Sequence, residues 1–168
     1  GNHWSKCIVE WTEMQHAYLS VVFTWDLPQA YMRAAWLRQE GYAVHTGGPA
    51  VKLMPDYLVP VTDFTGESPD AIARHNPRAT FTSRGCIRRC SFCAVPRIEG
   101  DLVELDDWPV RPIVCDNNLL ACSRKHFDQV VDRLKPLRDV DFNQGLDHRL
   151  LTIQQAGRLA ELDCMVRL

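Results

Sequence analysis

The stretch from Tyr18 to Thr46 limits the fold of this chain more than any other. Tyr18–Thr24 (YLSVVFT) is short, nearly continuously apolar and rich in β-branched and aromatic residues, as a strand buried in a parallel sheet must be. Asp26 stands where a helix N-cap belongs, with Pro28 in the first turn. The helix predicted there runs to about Glu40. Its positions Leu27, Tyr31, Ala34, Ala35 and Arg38 fall at i, i+4, i+7, i+8 and i+11, so most of one face is apolar. Gly41 is placed to end it. Tyr42–Thr46 reads as the next strand, and Gly47-Gly48-Pro49 turns the chain away. A strand, a helix and a strand in succession imply a right-handed crossover and a parallel sheet. The class is therefore α/β, with a Rossmann-like βαβ region over residues 1–61. Tyr57–Val61 is read as a further strand of that region, and Ser5–Trp11, with Cys7, Val9 and Trp11 on one side, as another candidate.

Residues 62–78 are polar and turn-rich, with Pro69 and Pro77 and at most a short helix around Pro69–His75. They read as a linker. A second alternation occupies residues 79–168. Ala79–Arg84 is a strand, Arg111–Asp116 a second and Val140–Leu146 a third. Ser123 caps a helix with Phe127, Val130, Val131 and Leu134 on one face, stopped by Pro136. Thr152-x-x-Gln155 is a capping box for a helix through about Leu162, and Cys164–Leu168 begins a fourth strand. Strands and helices in this order imply a parallel β/α barrel, whose sites gather at the C-terminal strand ends. Only about four strands are present, so the chain reads as a fragment of a longer barrel. Between Cys93 and Pro112 there is little helical periodicity, so the first crossover helix is expected to be abbreviated or replaced by a loop.

At 168 residues the chain has room for one full domain or two small ones. A net charge of −2 and a pI near 6.3 give no general signal for nucleic acid or an anionic membrane. No run of about 18 apolar residues occurs, and the first residues lack the apolar core of a signal peptide. Seven cysteines without an even framework suit a reducing compartment, so a cytoplasmic location is expected.

The chemistry concentrates in Thr80–Pro96 (TFTSRGCIRRCSFCAVP), where Cys86-x3-Cys90-x2-Cys93 follows Gly85. Glycine opens conformations closed to other residues, so the chain can turn sharply before the first thiol. Three thiols so close in sequence can converge on one inorganic centre with little loop entropy to overcome. An iron–sulfur cluster and a zinc ion both accept such ligands. Structural zinc needs a fourth ligand, which would have to come from His75, Cys115 or Cys122. Disulfide pairing would leave one of the three thiols odd.

The spacing Cys-x3-Cys-x2-Cys, with Phe92 just before the third cysteine, resembles the signature of the radical S-adenosylmethionine (SAM) superfamily. The flanking residues look most like its members with an N-terminal cobalamin-binding-type domain. The methylthiotransferases, with a similar Gly-Cys…Cys-x-Phe-Cys-x-Val-Pro run, come second. The resemblance implies that Cys86, Cys90 and Cys93 ligate a 4Fe–4S cluster whose fourth iron binds SAM, and that Phe92 lies beside the adenine. It implies reductive cleavage of SAM to a 5′-deoxyadenosyl radical acting on an unidentified substrate. The implied fold is a partial (β/α) barrel with the cluster loop after its first strand, cut here after about four strands. The implied partner is a small one-electron donor protein of flavodoxin or ferredoxin type.

Further ligands are read at strand ends. Radical SAM proteins often bind the SAM amino group after the second strand with a Gly-Gly-Glu-type run. This chain has Cys115-Asp116-Asn117-Asn118 there, and Asp116 and Asn118 offer acceptors for an ammonium. The same residues also favour an Asx-type turn that needs no ligand. Gln144 is a candidate for SAM ribose or substrate, and Arg167 for the SAM carboxylate. Arg84, Arg88, Arg89 and Arg97 surround the cysteines and could dock a donor or phosphate, or form a solvated basic loop. The Asp-x-His-x-x-Gly motif of some cobalamin proteins is absent and His45 precedes the glycines alone, so cobalamin is not an expected ligand. Methylthiotransferases would be expected to bind a second cluster through three N-terminal cysteines, and Cys7 is the only cysteine before Cys86. A non-catalytic zinc- or cluster-binding module is the competing reading.

Overall fold

A hairpin opens the first half of the fold. In the computed structural model, which describes residues 4, 7–66 and 70–166, the chain divides into two compact units between Pro77 and Arg78. In the first, β1 (Ile8–Glu13) and β2 (His16–Val21) pair antiparallel through a turn at Met14, whose φ is 53°. A single 3-10 turn at Thr24–Asp26 leads into α1 (Leu27–Gln39). β3 (Ala43–Gly47) then returns parallel to β2. The βαβ unit is present, and β1, which overlaps the candidate strand Ser5–Trp11, adds an antiparallel neighbour to β2 that the alternation of strands and helices did not announce.

Two expectations for this unit are corrected. Asp26 precedes α1 but makes no side-chain capping bond, because the 3-10 turn places its own backbone in the right-handed region. The buried face of α1 is Leu27, Ala30, Ala34 and Leu37, with Arg38 outside and paired to Asp63 at 3.1 Å. Those four residues pack on Ala17, Leu19, Val21 and Val44, the side chains of one sheet face.

After β3, Gly48 takes φ 97° and starts α2 (Pro49–Leu53). A Cβ at Gly48 would stand 2.5 Å from the Val21 carbonyl oxygen, so only glycine lets these segments approach. Tyr57–Val61 is not a strand: Val59–Val61 is a 3-10 turn around Pro60, which has no N–H to give a ladder. The fourth strand is β4 (Phe64–Thr65), parallel to β3, in the stretch read as linker. Asp63 and Thr62 hold it there: Asp63 Oδ2 accepts the Val44 N–H at 2.8 Å, and Thr62 Oγ1 donates to the Val44 carbonyl at 3.1 Å. α3 (Ala71–His75) follows, and His75 Nε2 lies 2.9 Å from Ser20 Oγ.

In the second unit the expected strand Ala79–Arg84 is broken in two. β5 (Ala79–Thr80) joins a parallel sheet, whereas β6 (Ser83–Arg84) leaves it. The break falls at Thr82, whose N–H donates to Asp116 Oδ1 at 2.7 Å instead of to a neighbouring strand. After a four-residue α4 (Val95–Ile98), β7 (Val103–Glu104) pairs antiparallel with β6. The first crossover is abbreviated, as read. β8 (Ile113–Val114), α5 (Arg124–Leu134), β9 (Val140–Phe142), α6 (Ile153–Leu159) and β10 (Cys164–Met165) complete the unit. The sheet order β5-β8-β9-β10 is chain order, and every pairing is parallel.

Ser123 caps α5 by accepting the His126 N–H, and Thr152 and Gln155 form the full capping box of α6. Phe127, Val130, Val131 and Leu134 are buried against Val114, Val140 and Phe142, the face read from the period. The whole is a mixed α/β chain with parallel sheets. Among the described residues no helix is long and apolar enough to cross a membrane.

Candidate metal centre

The parallel order of β5, β8 and β9 puts three loops at one end of the sheet: the cysteine loop, residues 116–118 and residues 143–149. The cysteine loop starts from a tight neck. Gly85 takes φ 74°, and a Cβ there would stand 2.1 Å from the Asp101 carbonyl oxygen. The Cys86 N–H donates to Gly100 O at 3.3 Å, so the loop's two ends are held together. Within it the Cys93 N–H donates to Cys90 O at 3.0 Å, closing a turn that carries the last two thiols.

Cys86, Cys90 and Cys93 are half-buried free thiols. Among the described residues, no three His, Cys, Asp or Glu side chains are gathered closely enough to hold a metal ion. The donor set nevertheless suits a thiolate-ligated centre. Cys86 Sγ receives the Arg88 N–H at 3.4 Å and Asn118 Nδ2 at 3.5 Å, N–H contacts of the kind that surround metal-bound sulfur. Gathering of ligands is commonly completed by the metal itself.

The candidate SAM residues fall in different settings. Asp116 is 3% exposed, and its carboxylate is taken up by its own chain. Oδ1 accepts the Thr82 N–H, and Oδ2 accepts the hydroxyls of Thr82 and Ser83, the last at 2.7 Å. Burial raises its pKa, against the opposing effect of those bonds from Thr82 and Ser83. Asn118 is buried on Cys86, and its Oδ1 has no partner among the described residues. Gln144 is exposed, in a turn closed by the Gly145 N–H on Phe142 O at 2.9 Å. Phe92 is 91% exposed. Arg167 lies outside the described residues.

Three carboxylates organise the arginines, and sequence reasoning gave none of them a role. Glu99 Oε2 accepts Arg84 Nε at 3.0 Å, the Gly85 N–H at 2.9 Å and Asn117 Nδ2 at 2.7 Å. Asp147 Oδ2 accepts Arg88 Nε at 2.6 Å, and Asp147 Oδ1 accepts Arg149 Nε at 2.6 Å. Asp101 pairs with Arg89 at 2.7 Å on the surface. The available signal was the charge itself: clustered arginines around a folded loop call for carboxylates nearby in space.

The remaining zinc-ligand candidates have surroundings of their own. His75 belongs to the first unit and its contact with Ser20. Cys115 and Cys122 are buried, and desolvation pushes their thiols up to about 12 and about 11. His45 lies in the first unit with Nε2 2.8 Å from His16 Nδ1, between the rings of Tyr18 and Phe64.

No family model matches the chain, and no solved structure matches it. Curated relatives do. The chain is 36% identical over 73 residues to the ribosomal protein uS12 methylthiotransferase RimO of Xanthomonas oryzae pv. oryzae strain PXO99A, and equally to those of strains MAFF 311018 and KACC10331. The match covers 44% of this chain and 13% of the relative, so the chain spans a small part of the proteins it resembles.

Proposed function

We propose that this chain is the cluster-binding part of a radical SAM enzyme, with Cys86, Cys90 and Cys93 holding a 4Fe–4S cluster. The observation that carries the reading is the place of the cysteine loop. It follows β5, the first strand of an all-parallel sheet laid down in chain order, and it shares the sheet end with Asn118 and Asp147. That is where a (β/α) barrel builds its site. In this reading β5, β8, β9 and β10 are the first four barrel strands, and residues 1–61 are a Rossmann-like region before them. The 36% identity to methylthiotransferases supports the same class.

When bound, the cluster would supply the electron for reductive cleavage of SAM. The chain's own residues hold and shape the site. Gly85 and Glu99 fix the loop neck, and Asp147 restrains Arg88. Asn118 presents a carbonyl oxygen with no partner among the described residues, suited to an ammonium donor. Asp116 supports Thr82 and Ser83, so its share in the site is support of the loop more than contact with a ligand. Phe92 and Gln144 are exposed and free to meet adenine, ribose or substrate. A flavodoxin- or ferredoxin-type protein would deliver the electron. Methylthio transfer, the reaction in the relatives' name, is the second reading; the match covers 13% of the relative.

The test is anaerobic reconstitution with iron and sulfide, followed by electron paramagnetic resonance of the reduced protein with and without SAM. A 4Fe–4S signal that changes on adding SAM and is lost in Cys90→Ala is expected. Stoichiometric zinc without a cluster signal would overturn the proposal.

A further inference from the structure

Glu99 carries three donors on one carboxylate oxygen. Its side chain is 8% exposed. The short helix α4 explains how it gets there: the Glu99 N–H donates to Val95 O at 2.8 Å, and Gly100 turns the chain at φ 79° directly after it. Oε2 then faces Arg84 Nε, the Gly85 N–H and Asn117 Nδ2 together. Two of these donors belong to the neck of the cysteine loop. The third belongs to the segment after β8, one residue from Asn118, whose Nδ2 lies 3.5 Å from Cys86 Sγ.

The geometry points to Glu99 as a positioning residue that locks residues 117–118 to the loop neck and so holds the Asn118 amide on the Cys86 sulfur. Without that tie, Asn117 and the Gly85 N–H would each seek other partners, and the Asn118 side chain would lose its fixed approach. A carboxylate suits the task because it accepts several bonds at once and offsets the Arg84 charge. An N–H held on a cysteine sulfur stabilises the more negative state of any thiolate-bound centre there, and so raises its reduction potential. That last consequence rests on the function proposed above, whereas the positioning does not.

Two measurements separate them. In the metal-free full chain, the side-chain amide resonances of Asn118, assigned by nuclear magnetic resonance against Asn118→Ala, report its contact with sulfur. Glu99→Ala should move them towards the shifts of a solvated amide and speed their hydrogen exchange at least tenfold. Glu99→Gln keeps one acceptor oxygen and should restore much of the protection. In reconstituted protein, Glu99→Ala and Asn118→Ala should both make the cluster potential more negative. The double variant should go no further than Asn118→Ala, because both act through one bond. Unchanged Asn118 resonances in a folded Glu99→Ala protein would overturn the positioning, as would a full additive shift in the double variant. Failure of the wild-type chain to bind a cluster would instead overturn the function proposed above, and the metal-free measurement would still decide the role of Glu99.

Discussion

Arg88 Nε lies 2.6 Å from Asp147 Oδ2, which ties the middle of the cysteine loop to the turn after β9. Arg149 reaches the other oxygen of the same carboxylate at 2.6 Å. Arg149 foremost, then Arg88, hold Asp147 well below the usual carboxylate range, despite the opposing cost of its burial. Because the folded value is depressed, the unfolded chain binds the proton first as pH falls. The stabilisation is therefore complete above the ordinary aspartate value of about 4 and is lost as pH drops below it. Asp147→Asn should cost about 1–3 kcal/mol at pH 7 and clearly less at pH 3, read from urea denaturation at both values. A difference between wild type and variant that is equal at the two pH values would exclude this role.

Asp116 offers a contrast between support and ligand binding. Thr82 and Ser83 are fully buried, and three of their donors end on the Asp116 carboxylate. Asp116→Ala would leave those donors in the interior without an acceptor, at about 1–3 kcal/mol for each that finds no other. We expect a loss on the order of 3 kcal/mol in metal-free protein without SAM. Asp116→Asn, which can still accept the Thr82 N–H and donate to the hydroxyls, should lose less. If Asp116 acted only on SAM, metal-free stability would not change in either variant.

What was legible in the sequence follows from how local each signal is. The face of α5, its Ser123 cap and the Thr152–Gln155 box are written within one or two turns, and all three stand in the structure. The parallel sheets were legible because alternation of strands and helices admits few connections. The strand proposed at Tyr57–Val61 failed because its apolar residues were weighed above Pro60, while the true edge strand, Phe64–Thr65, is only two residues long. The break at Thr82 was hidden because its partner, Asp116, is 34 residues away. At the candidate centre the cysteines announce themselves by spacing. The carboxylates that order their loop, Glu99 and Asp147, do not, since each meets its arginine only in the folded chain.

Two glycines of the cysteine loop separate backbone strain from crowding. Gly85 and Gly100 have φ of 74° and 79°, but a Cβ at Gly100 meets nothing within 4 Å, whereas one at Gly85 stands 2.1 Å from backbone. Gly100→Ala should cost about 1–2 kcal/mol, the penalty of the left-handed conformation alone. Gly85→Ala should cost more, because Asp101 O belongs to backbone and cannot swing aside. Thermal unfolding of the two variants checks the order, and an equal loss in both would contradict the close approach.

In the first unit, Trp11, Tyr18, His45 and Phe64 form a row of stacked rings, one from each strand, with centroids 4.5–5.2 Å apart. His45 also contacts His16 across 2.8 Å, so the two imidazoles share one hydrogen bond and cannot both carry a charge cheaply. Burial, then the neighbouring His16, lowers the His45 pKa, with Asp63 opposing. The folded state thus prefers neutral His45, and the unfolded state binds more protons as pH falls through the ordinary histidine value of about 6.5. Stability of this unit should rise with pH across that window, with a slope of at most about 1.4 kcal/mol per pH unit from this group. His45→Phe keeps the row of rings and removes the titration. Urea unfolding between pH 5 and pH 8, followed by tryptophan fluorescence, should show a shallower dependence in the variant. Parallel curves for the two proteins would mean that the His16–His45 contact carries no proton-linked stability.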